Sequence, residues 1–538
     1  MTQTKTIAAL CLLASSTLAL AQEPVPETQW VGQFSIDGHA TVIVLHERAG
    51  GPDAASGMDV PSKGARNIPL KNFSVGKTST HFELQGSPDL FTFDGKRDAK
   101  GLRGTVRQGA HRGKFELVAL QPAPEPLIRS LAGSYRLAPD RIVDMGPMDE
   151  LGGQLAFLDT KTRRMGPLLG LSASRFISGP SIGMPWPAAI RAEFIKDKEG
   201  VVTAMRWTEN SKTVLAQKIA PHRVEDVTVV NGDVTLKGTL LVPRTPGPHP
   251  AIVFAHGSGP ATRNVGAWNT FFVRQGIAVL SLDKRGAGAS DGDWTKASLA
   301  TIADDWLAGV AMLKQRSDID PKRIGVHGSS QGGWTGPLMA AKSKDIAYVI
   351  VRAGSADTVR DTMVHEIGWS VRDAGFSEAD AKEAEEGSGR LFDNAGLPWA
   401  QFSALSAPLK ARPWANAAWA VHMSEAGWGR GWSVLNAAYD PAATLAKVTV
   451  PVLWFLGDLD HNVPSAQTAK RLEAARQASG NQDFTVVRIA DAGHAFLETK
   501  TGNNNEFPVL TTASAGYWEK MEAWLRERHF SQPSSAGR

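Results

Sequence analysis

The sequence predicts an α/β fold with a mostly parallel sheet, preceded by β-rich N-terminal domains. In the C-terminal part, apolar runs end in short polar or glycine-rich turns and alternate with helical stretches, which is typical of parallel strands. Within that part, a long segment rich in tryptophan separates two of the strands. The part before it has short apolar runs divided by Gly, Asp, Pro and Lys, a pattern that favours antiparallel strands.

A strand, a sharp turn and a helix are predicted around Ser330. An apolar run at 323–327 precedes Gly328-Ser329-Ser330-Gln331-Gly332, and small and apolar residues follow over 334–341. A serine in the middle of such a turn has a strained backbone and an exposed hydroxyl, and small neighbours let strand and helix approach closely. Ser330 is therefore the candidate nucleophile. The alternative is a glycine-rich helix start that only packs on a strand.

A second stretch, Gly288-Ala289-Ser290-Asp291-Gly292, has the same Gly-x-Ser-x-Gly pattern. It follows a turn-like segment, and neither a strand directly before it nor a helix directly after it is predicted. Ser290 is therefore not expected to be the nucleophile.

Serine needs a base to take its proton and a third group to orient that base. The buried strand predicted at 450–457 ends in a polar turn that holds Asp458 and Asp460, and the strand at 484–489 runs into His494. His494 is the candidate base. From the turn alone either aspartate fits as the acid, and His461, next to the acid in sequence, is expected at the surface or rim.

Acyl transfer also needs hydrogen-bond donors for the developing oxyanion. The strand at 251–255 runs into His256-Gly257-Ser258-Gly259-Pro260, where small residues let backbone N–H groups face a ligand. The expected donors are the backbone amides of Ser258 and Gln331, the latter being the residue after the nucleophile. Taken alone, the segment also fits an ordinary strand-to-helix turn.

These motifs together resemble those of the alpha/beta-hydrolase family of esterases, lipases, thioesterases and some peptidases, from about residue 226 to about residue 529. Residues 283–290 are similar to the family's Asp-x-Arg-Gly-x-Gly-x-Ser turn, in which Asp283 and Arg285 are expected to fix the turn by an ion pair or hydrogen bonds. The Gly-x-x-Asp-x-x-Val-Pro pattern at 457–464 resembles the family's acid turn and favours Asp460. The resemblance implies the catalytic set Ser330, Asp460 and His494.

The resemblance implies a helical lid where the chain has its long segment, at about 356–445, because members of the family have a lid inserted at this place. That segment holds six of the sixteen tryptophans: Trp369, Trp399, Trp414, Trp419, Trp428 and Trp432. They either cover the site with apolar surface or pack the lid onto the body. The candidate substrate-binding residues are His256, Trp334 and Arg352, and an ion pair within the lid is the alternative for Arg352.

The N-terminus has the pattern of a secretory signal, with Lys5, an apolar run over 7–20 and small residues at the cleavage positions. We expect residues 1–21 to be removed, and a periplasmic or secreted bacterial protein without stable membrane insertion afterwards. An uncleaved anchor is the alternative. Cys11 is the only cysteine and lies in this segment, so no disulfide is expected in the mature chain.

Four segments are predicted: the signal at 1–21, a β-rich domain at 22–125, a second one at 126–222, and the catalytic domain at 223–538. The net charge of +4 and the absence of a Lys/Arg stripe argue against nucleic acid as a partner. No cofactor is expected, because the 13 histidines lack a His-Glu-x-x-His spacing and no dinucleotide fingerprint opens a helix. Scattered aspartates leave calcium open, and the sequence does not predict the oligomeric state.

The sequence therefore predicts an exported serine hydrolase that cleaves a small carboxylic ester, or a short peptide, through an acyl-enzyme. A peptidase or amidase with the same triad is the main alternative. The β-rich region is too short for the six- or seven-bladed propeller that screens substrates in some peptidases of the family. A non-catalytic cell-envelope binding protein is the third hypothesis.

Overall fold

The structure, a computed structural model, describes residues 27–48, 56–220 and 222–531. They form two compact units, one of residues 27–219 with Phe507–Thr511 and one of residues 220–506 with 512–531. The predicted signal segment lies outside the described residues. No helix within the described ranges is both long and apolar enough to span a membrane.

The first unit begins with a closed antiparallel barrel in which β1 pairs with both β2 and β8. Its interior is aromatic, and the stacked rings of Phe82 and Phe93 lie 4.5 Å apart. Alternation of buried and exposed residues along the strands places these rings inside. The strands are β1 Glu27–Ile36, β2 His39–Arg48, β3 Gly57–Val60, β4 Ala65–Val75, β5 Ser79–Leu84, β6 Phe91–Asp98, β7 Gly101–Gln108 and β8 His111–Ala119.

A second closed barrel follows the short helix α1 Glu125–Leu131. Its core includes Tyr135, Phe157 and Trp207. Residues 507–511 belong to this unit, since the amide of Gly183 and the hydroxyl of Ser181 both donate to the carbonyl of Pro508. The strands are β9 Gly133–Ala138, β10 Arg141–Met148, β11 Gln154–Asp159, β12 Met165–Gly170, β13 Arg175–Ser178, β14 Ile190–Lys196, β15 Val202–Glu209 and β16 Lys212–Ile219.

The second unit is built on an eight-stranded sheet of order β17-β18-β20-β19-β21-β22-β23-β24. Strand β18 is antiparallel to its neighbours, and the six strands from β20 to β24 in this order are parallel. Helices cover the sheet, so its central strands are apolar on both faces. The strands are β17 His222–Asn231, β18 Val234–Pro243, β19 His249–Ala255, β20 Ala278–Leu282, β21 Ile319–Ser329, β22 Tyr348–Arg352, β23 Val452–Gly457 and β24 Phe484–Ile489.

Ten α-helices follow α1 in the described residues, and five of them, α5 to α9, lie between β22 and β23. We call these five the lid helices. This arrangement, with the two β-rich barrels before it, confirms the predicted fold class. The helices are α2 Ala267–Arg274, α3 Leu299–Lys314, α4 Gly332–Lys342, α5 Val359–Asp373, α6 Glu378–Asp393, α7 Trp399–Lys410, α8 Trp428–Asn436, α9 Ala442–Leu445, α10 Ser465–Ser479 and α11 Tyr517–Glu527.

Candidate active site

Ser330 lies in the turn between β21 and α4, at the carboxyl end of the parallel strands. Its φ is +53°, a left-handed conformation that is strained for a residue with a side chain. The turn is tight enough that a Cβ on Gly328 would lie 2.2 Å from the carbonyl oxygen of Gly332. A Cβ on Gly332 would lie 2.1 Å from the carbonyl oxygen of Ala255. The two glycines therefore allow the turn that presents the Ser330 hydroxyl.

The structure brings the three predicted catalytic side chains together. The Ser330 hydroxyl lies 3.1 Å from Nε2 of His494. Nδ1 of His494 lies 2.9 Å and 3.0 Å from the two carboxylate oxygens of Asp460. With the ring proton on Nδ1, the imidazole donates to Asp460 and its Nε2 accepts from the hydroxyl.

The two candidate acids have separate partners. The Asp460 side chain is fully buried, and its Oδ1 also accepts from the backbone amides of Asn462 at 2.8 Å and Val463 at 3.0 Å. Asp458 instead accepts from Nε of Arg488 at 2.7 Å. Asp460 is thus the aspartate that orients His494 in this structure.

The electrostatic environment of His494 is set by two opposing effects. Burial disfavours its imidazolium form, but the charge and hydrogen bond of Asp460 outweigh burial, so the pKa of His494 is raised above its ordinary value. Arg352 opposes this rise, and Glu366 adds to it. Such an imidazole is a stronger proton acceptor than a free one.

Two backbone amides near Ser330 have the properties expected of oxyanion donors. Within the described ranges, neither the N–H of Ser258 nor that of Gln331 has a hydrogen-bond acceptor. The loop that carries Ser258 passes close to the nucleophile, since a Cβ on Gly257 would lie 3.5 Å from Cβ of Ser330. Both amides are available to a ligand at this point.

The second Gly-x-Ser-x-Gly stretch forms a turn in which the serine hydroxyl is hydrogen-bonded to the backbone. The Ser290 hydroxyl donates to the carbonyl of Asp283 at 2.8 Å and accepts from the amide of Lys237 at 2.9 Å. Asp283 and Arg285 do fix this turn, but not by pairing with each other. Asp283 pairs with Arg263 at 2.7 Å, and Arg285 pairs with Asp305 at 2.6 Å.

Two of the candidate substrate-binding residues form hydrogen bonds to backbone carbonyls within the second unit. Nε2 of His256 donates to the carbonyl of Leu282 at 2.7 Å, and burial, followed by the charge of Lys284, lowers the pKa of His256 to about 4. The indole N–H of Trp334 donates to the carbonyl of Asp357 at 3.1 Å. We therefore interpret both residues as structural, because each side chain is buried and turned to a protein partner.

Arg352 does not form the ion pair within the lid that the sequence left open, and its possible contact with a substrate carboxylate stays a prediction. Its guanidinium donates to the Ser329 hydroxyl at 2.6 Å and to the carbonyl of Ala495 at 3.2 Å, and it lies over the ring of Trp268. It therefore ties the turn before Ser330 to the loop after His494. This is a positioning role, since the side chain is buried and takes no carboxylate partner among the described residues.

The expectation for His461 was wrong, because its side chain is only 7% exposed. It bonds through Nδ1 to Asp373 at 3.0 Å, and its ring stacks on Trp369. Both partners are on α5, the first lid helix. His461 therefore joins the lid to the acid turn rather than lying at a rim.

Glu366 of α5 also faces the site, and sequence reasoning missed it. It accepts from Nδ2 of Asn462 at 3.2 Å, and its charge acts on His494. Burial raises the pKa of Glu366 to about 7. No local pattern distinguishes it from the other acidic residues of the lid, so only the fold reveals its position.

The lid tryptophans have different roles. Trp414 and Trp432 are buried within the lid and at its base. Trp428 lies between Trp419 and Trp294, with its ring 5.6 Å from each. Trp294 lies outside the lid, between β20 and α3, whereas Trp428 is on the lid helix α8. This row of rings therefore packs the lid onto the rest of the second unit.

Within the described ranges, no group of three or more His, Cys, Asp or Glu side chains is arranged to hold a metal ion.

Residues 231–495 match the family model of X-Pro dipeptidyl-peptidase (S15 family). The matched segment contains the sheet from β18 to β24 and all three side chains of the candidate triad. The catalytic domain is an alpha/beta hydrolase. This match and the similarity to two named proteins identify the chain as a hydrolase.

Two named proteins are similar to parts of this chain. Esterase EstD of Thermotoga maritima is 26% identical over 334 residues, which are 60% of this chain and 71% of the relative. The quorum-quenching protein AidA of Acinetobacter baumannii is 26% identical over 284 residues, 51% of this chain and 88% of the relative. The solved structure of an esterase from Pyrococcus furiosus is 18% identical and is matched over 57% of this chain and 91% of its own. The TM-score is 0.36.

Proposed function

We propose that this alpha/beta hydrolase is an exported serine esterase that cleaves carboxylic esters through an acyl-enzyme. The observation that carries the proposal is the relay of two contacts, 3.1 Å from the Ser330 hydroxyl to His494 and 2.9 Å from His494 to Asp460. The strained backbone of Ser330 supports it, because strain in a tight turn is typical of an exposed nucleophile.

In the first half of the reaction, His494 takes the Ser330 proton on Nε2 while the hydroxyl oxygen attacks the ester carbonyl carbon. The carbonyl oxygen becomes an oxyanion that accepts from the amides of Ser258 and Gln331. The tetrahedral intermediate then collapses, the ester bond breaks, and His494 gives its proton to the departing alkoxide. Asp460 stabilises the imidazolium that exists between the two transfers.

In the second half, water replaces the alcohol. His494 removes a proton from the water, whose oxygen attacks the acyl carbon of the Ser330 ester. The second tetrahedral intermediate releases the carboxylic acid, and the proton returns to the Ser330 oxygen. The enzyme is regenerated without a redox step or a second substrate other than water.

The choice of an ester rests on the relatives. EstD, which is named as an esterase, is matched over 71% of its length, and AidA over 88%. We propose a small-molecule ester, with a short peptide as the alternative substrate class.

A peptidase or amidase is the second candidate, and two observations favour it. The family model that matches residues 231–495 is described as an X-Pro dipeptidyl-peptidase. Glu366 in addition places a carboxylate near His494, where it would attract the ammonium of a substrate with a free N-terminus. Two other acidic residues of the lid, Glu383 and Glu385 of α6, are less suited to bind that ammonium, because they are already paired with Arg412 and Arg372.

The two candidate functions differ in the type of bond, ester or amide, whose hydrolysis is accelerated more. The test compares p-nitrophenyl esters with p-nitroanilides of the same acyl groups, each rate being divided by that of uncatalysed hydrolysis. We expect the larger acceleration for the esters, no gain from a free α-amino group, and loss of both activities in Ser330→Ala. A larger acceleration of the anilides would favour the peptidase. Absence of turnover on both series would favour a non-catalytic binding protein.

Export is proposed from the sequence of residues 1–21. N-terminal sequencing of the protein from a bacterial periplasmic fraction should give a mature chain that starts at Gln22. Recovery of the chain with residues 1–21 attached, in the cytoplasmic fraction, would contradict export without affecting the esterase proposal.

A further inference from the structure

The amino group of Lys284 is buried close to the candidate active site. Its side chain is 1% exposed, and within the described ranges it has no carboxylate partner. Its Nζ donates to the carbonyl of Gly257 at 2.5 Å, the carbonyl of Gly259 at 3.0 Å and Oε1 of Gln331 at 3.1 Å. An ammonium group has three N–H donors, and these three oxygens use all of them.

Burying a charge without an opposite charge is unfavourable, and burial lowers the pKa of Lys284 to about 7. The three oxygens oppose this, because they accept hydrogen bonds from the charged form. A packing role alone needs only the apolar stem of the side chain. The position of the ammonium therefore indicates a use for its three hydrogen bonds.

The first of these bonds fixes the direction of an amide. In a trans peptide the C=O and the following N–H point in opposite directions. The Gly257–Ser258 bond is not among the cis peptides of the described residues. Because the carbonyl of Gly257 is held on Lys284, the N–H of Ser258 points away from Lys284.

That N–H has no acceptor within the described ranges, and its loop passes Ser330, with a Cβ on Gly257 placed 3.5 Å from Cβ of Ser330. A bond from a cation to the carbonyl also polarises the peptide, which makes its N–H a stronger donor. Lys284 thus acts on the direction and on the strength of the Ser258 donor.

The third bond reaches the residue that carries the other donor. Gln331 follows the nucleophile and precedes α4, and it is 6% exposed. One ammonium therefore connects the loop after β19 with the turn after β21. These are the two segments that carry the free amides of Ser258 and Gln331.

We propose that Lys284 is the positioning residue of the oxyanion site, holding the Gly257–Ser258 peptide and Gln331 so that both free amides face the oxygen of the tetrahedral intermediate. This inference rests on the proposed function, since it assumes that Ser330 attacks a carbonyl. Lys284 touches neither the substrate nor the reacting atoms, and it acts through the two residues that do.

The test replaces Lys284 by methionine, which keeps the length of the stem and removes all three donors. Loss of one direct oxyanion donor lowers kcat by about 100- to 1000-fold. For Lys284→Met, whose effect is indirect, we expect kcat on p-nitrophenyl acetate to fall by about 10- to 100-fold, with KM within twofold. The affinity for phenylboronic acid, which forms a tetrahedral adduct with the serine, should fall by the same factor as kcat/KM.

The matched control is Lys296→Met, a nearby lysine whose side chain is 84% exposed and which should keep wild-type kinetics. A folded Lys284→Met protein with kcat and boronate affinity within twofold of wild type would overturn the proposal. So would a change in KM alone, because that result indicates ground-state binding.

A second variant covers the case in which Lys284→Met does not fold. Gln331→Leu removes one of the three acceptors and leaves Lys284 and the backbone amide of residue 331 in place. It should lower kcat and boronate affinity together by about 3- to 10-fold, an effect typical of one indirect hydrogen bond. Unchanged values would again overturn the role of Lys284.

Failure of the proposed function gives a different result. In that case the wild-type protein neither hydrolyses the ester nor binds the boronate at Ser330, and the inference falls with it. If the wild type does both, the Lys284→Met and Gln331→Leu data decide on Lys284 alone.

Discussion

The indole of Trp369 stacks on the imidazole of His461, with ring centroids 3.7 Å apart and planes inclined by 16°. Trp369 belongs to the first lid helix, α5, and His461 follows the candidate acid Asp460 directly. Asp373, one helical turn further along α5, accepts a hydrogen bond from the same imidazole. The side chains of His461 and Asp373 are each 7% exposed. The lid is therefore anchored beside the residue that orients His494.

This contact predicts an energetic coupling between the lid helix and the acid turn. Stacked aromatic pairs contribute about 1 kcal/mol beyond the area they bury. A double-mutant cycle with Trp369→Ala and His461→Ala, measured by denaturant unfolding, should give a coupling free energy of about 1 kcal/mol. Strictly additive effects would show that the two rings only lie near each other.

The pH dependence of the reaction follows from the raised pKa of His494. The base must be neutral to accept the Ser330 proton, and its protonated form persists to higher pH when its pKa is raised. We expect kcat/KM to rise with pH, with a midpoint above the ordinary histidine value of 6.5. A midpoint below that value in the wild type would contradict the environment described for His494.

The variant Asp460→Asn tests the cause of that raised pKa. Removing the carboxylate takes away the attraction that favours the imidazolium, so the midpoint of kcat/KM should move to lower pH. The rate itself should fall by about 10⁴-fold, because the neutral amide also supports the wrong ring tautomer. Asp458→Asn is the matched control, because the Asp458 carboxylate accepts from Arg488 and not from His494. It should leave the rate and the midpoint nearly unchanged.

Glu366 should shift the same profile in a smaller way. Its negative charge raises the pKa of His494, so Glu366→Gln should move the midpoint of kcat/KM to lower pH. Glu386→Gln, an exposed substitution in the same lid, should leave the midpoint in place. If both variants keep the wild-type midpoint, Glu366 does not act on the base. A loss of activity only on substrates with a free amine would instead support the peptidase.

The turn at 283–290 predicts a loss of stability when its ion pair is broken. Asp283 is buried, and its carboxylate accepts from Arg263 and from the amide of Ala289. Asp283→Ala removes a buried carboxylate that accepts from both Arg263 and the amide of Ala289, so the free energy of unfolding should fall by about 3 kcal/mol. Asp345→Ala breaks an exposed pair with Lys314 and should cost less than about 1 kcal/mol. Equal effects in denaturant unfolding would contradict this difference.

The sequence predicted the features of the site that have a local cause. The turn around Ser330 could be predicted because glycines at fixed spacing permit a positive φ, and the acid turn and His494 because each follows an apolar strand. The choice of Asp460 over Asp458 came from the resemblance to the family's acid turn. The β-rich character of the N-terminal region was also evident from its short apolar runs. Closure of the strands into two barrels was not, because it depends on pairing between the first and last strands of each.

The contacts that sequence reasoning missed are formed between distant segments. His461 was expected at a rim because nothing near it in sequence announces Trp369 and Asp373. Asp283 and Arg285 are two residues apart, yet each pairs with a residue from another segment. Buried polar groups find partners across the fold, and a single sequence carries no signal for such pairs.

The most direct test of the account is covalent labelling by a fluorophosphonate, with the modified peptide identified by mass spectrometry. We expect a single adduct on Ser330 that is abolished in Ser330→Ala and strongly reduced in His494→Ala. Labelling should be retained in Ser290→Ala, whose hydroxyl serves the turn at 283–290. No adduct on the folded wild-type protein, or an adduct that persists in Ser330→Ala, would contradict the assignment of Ser330 as the nucleophile.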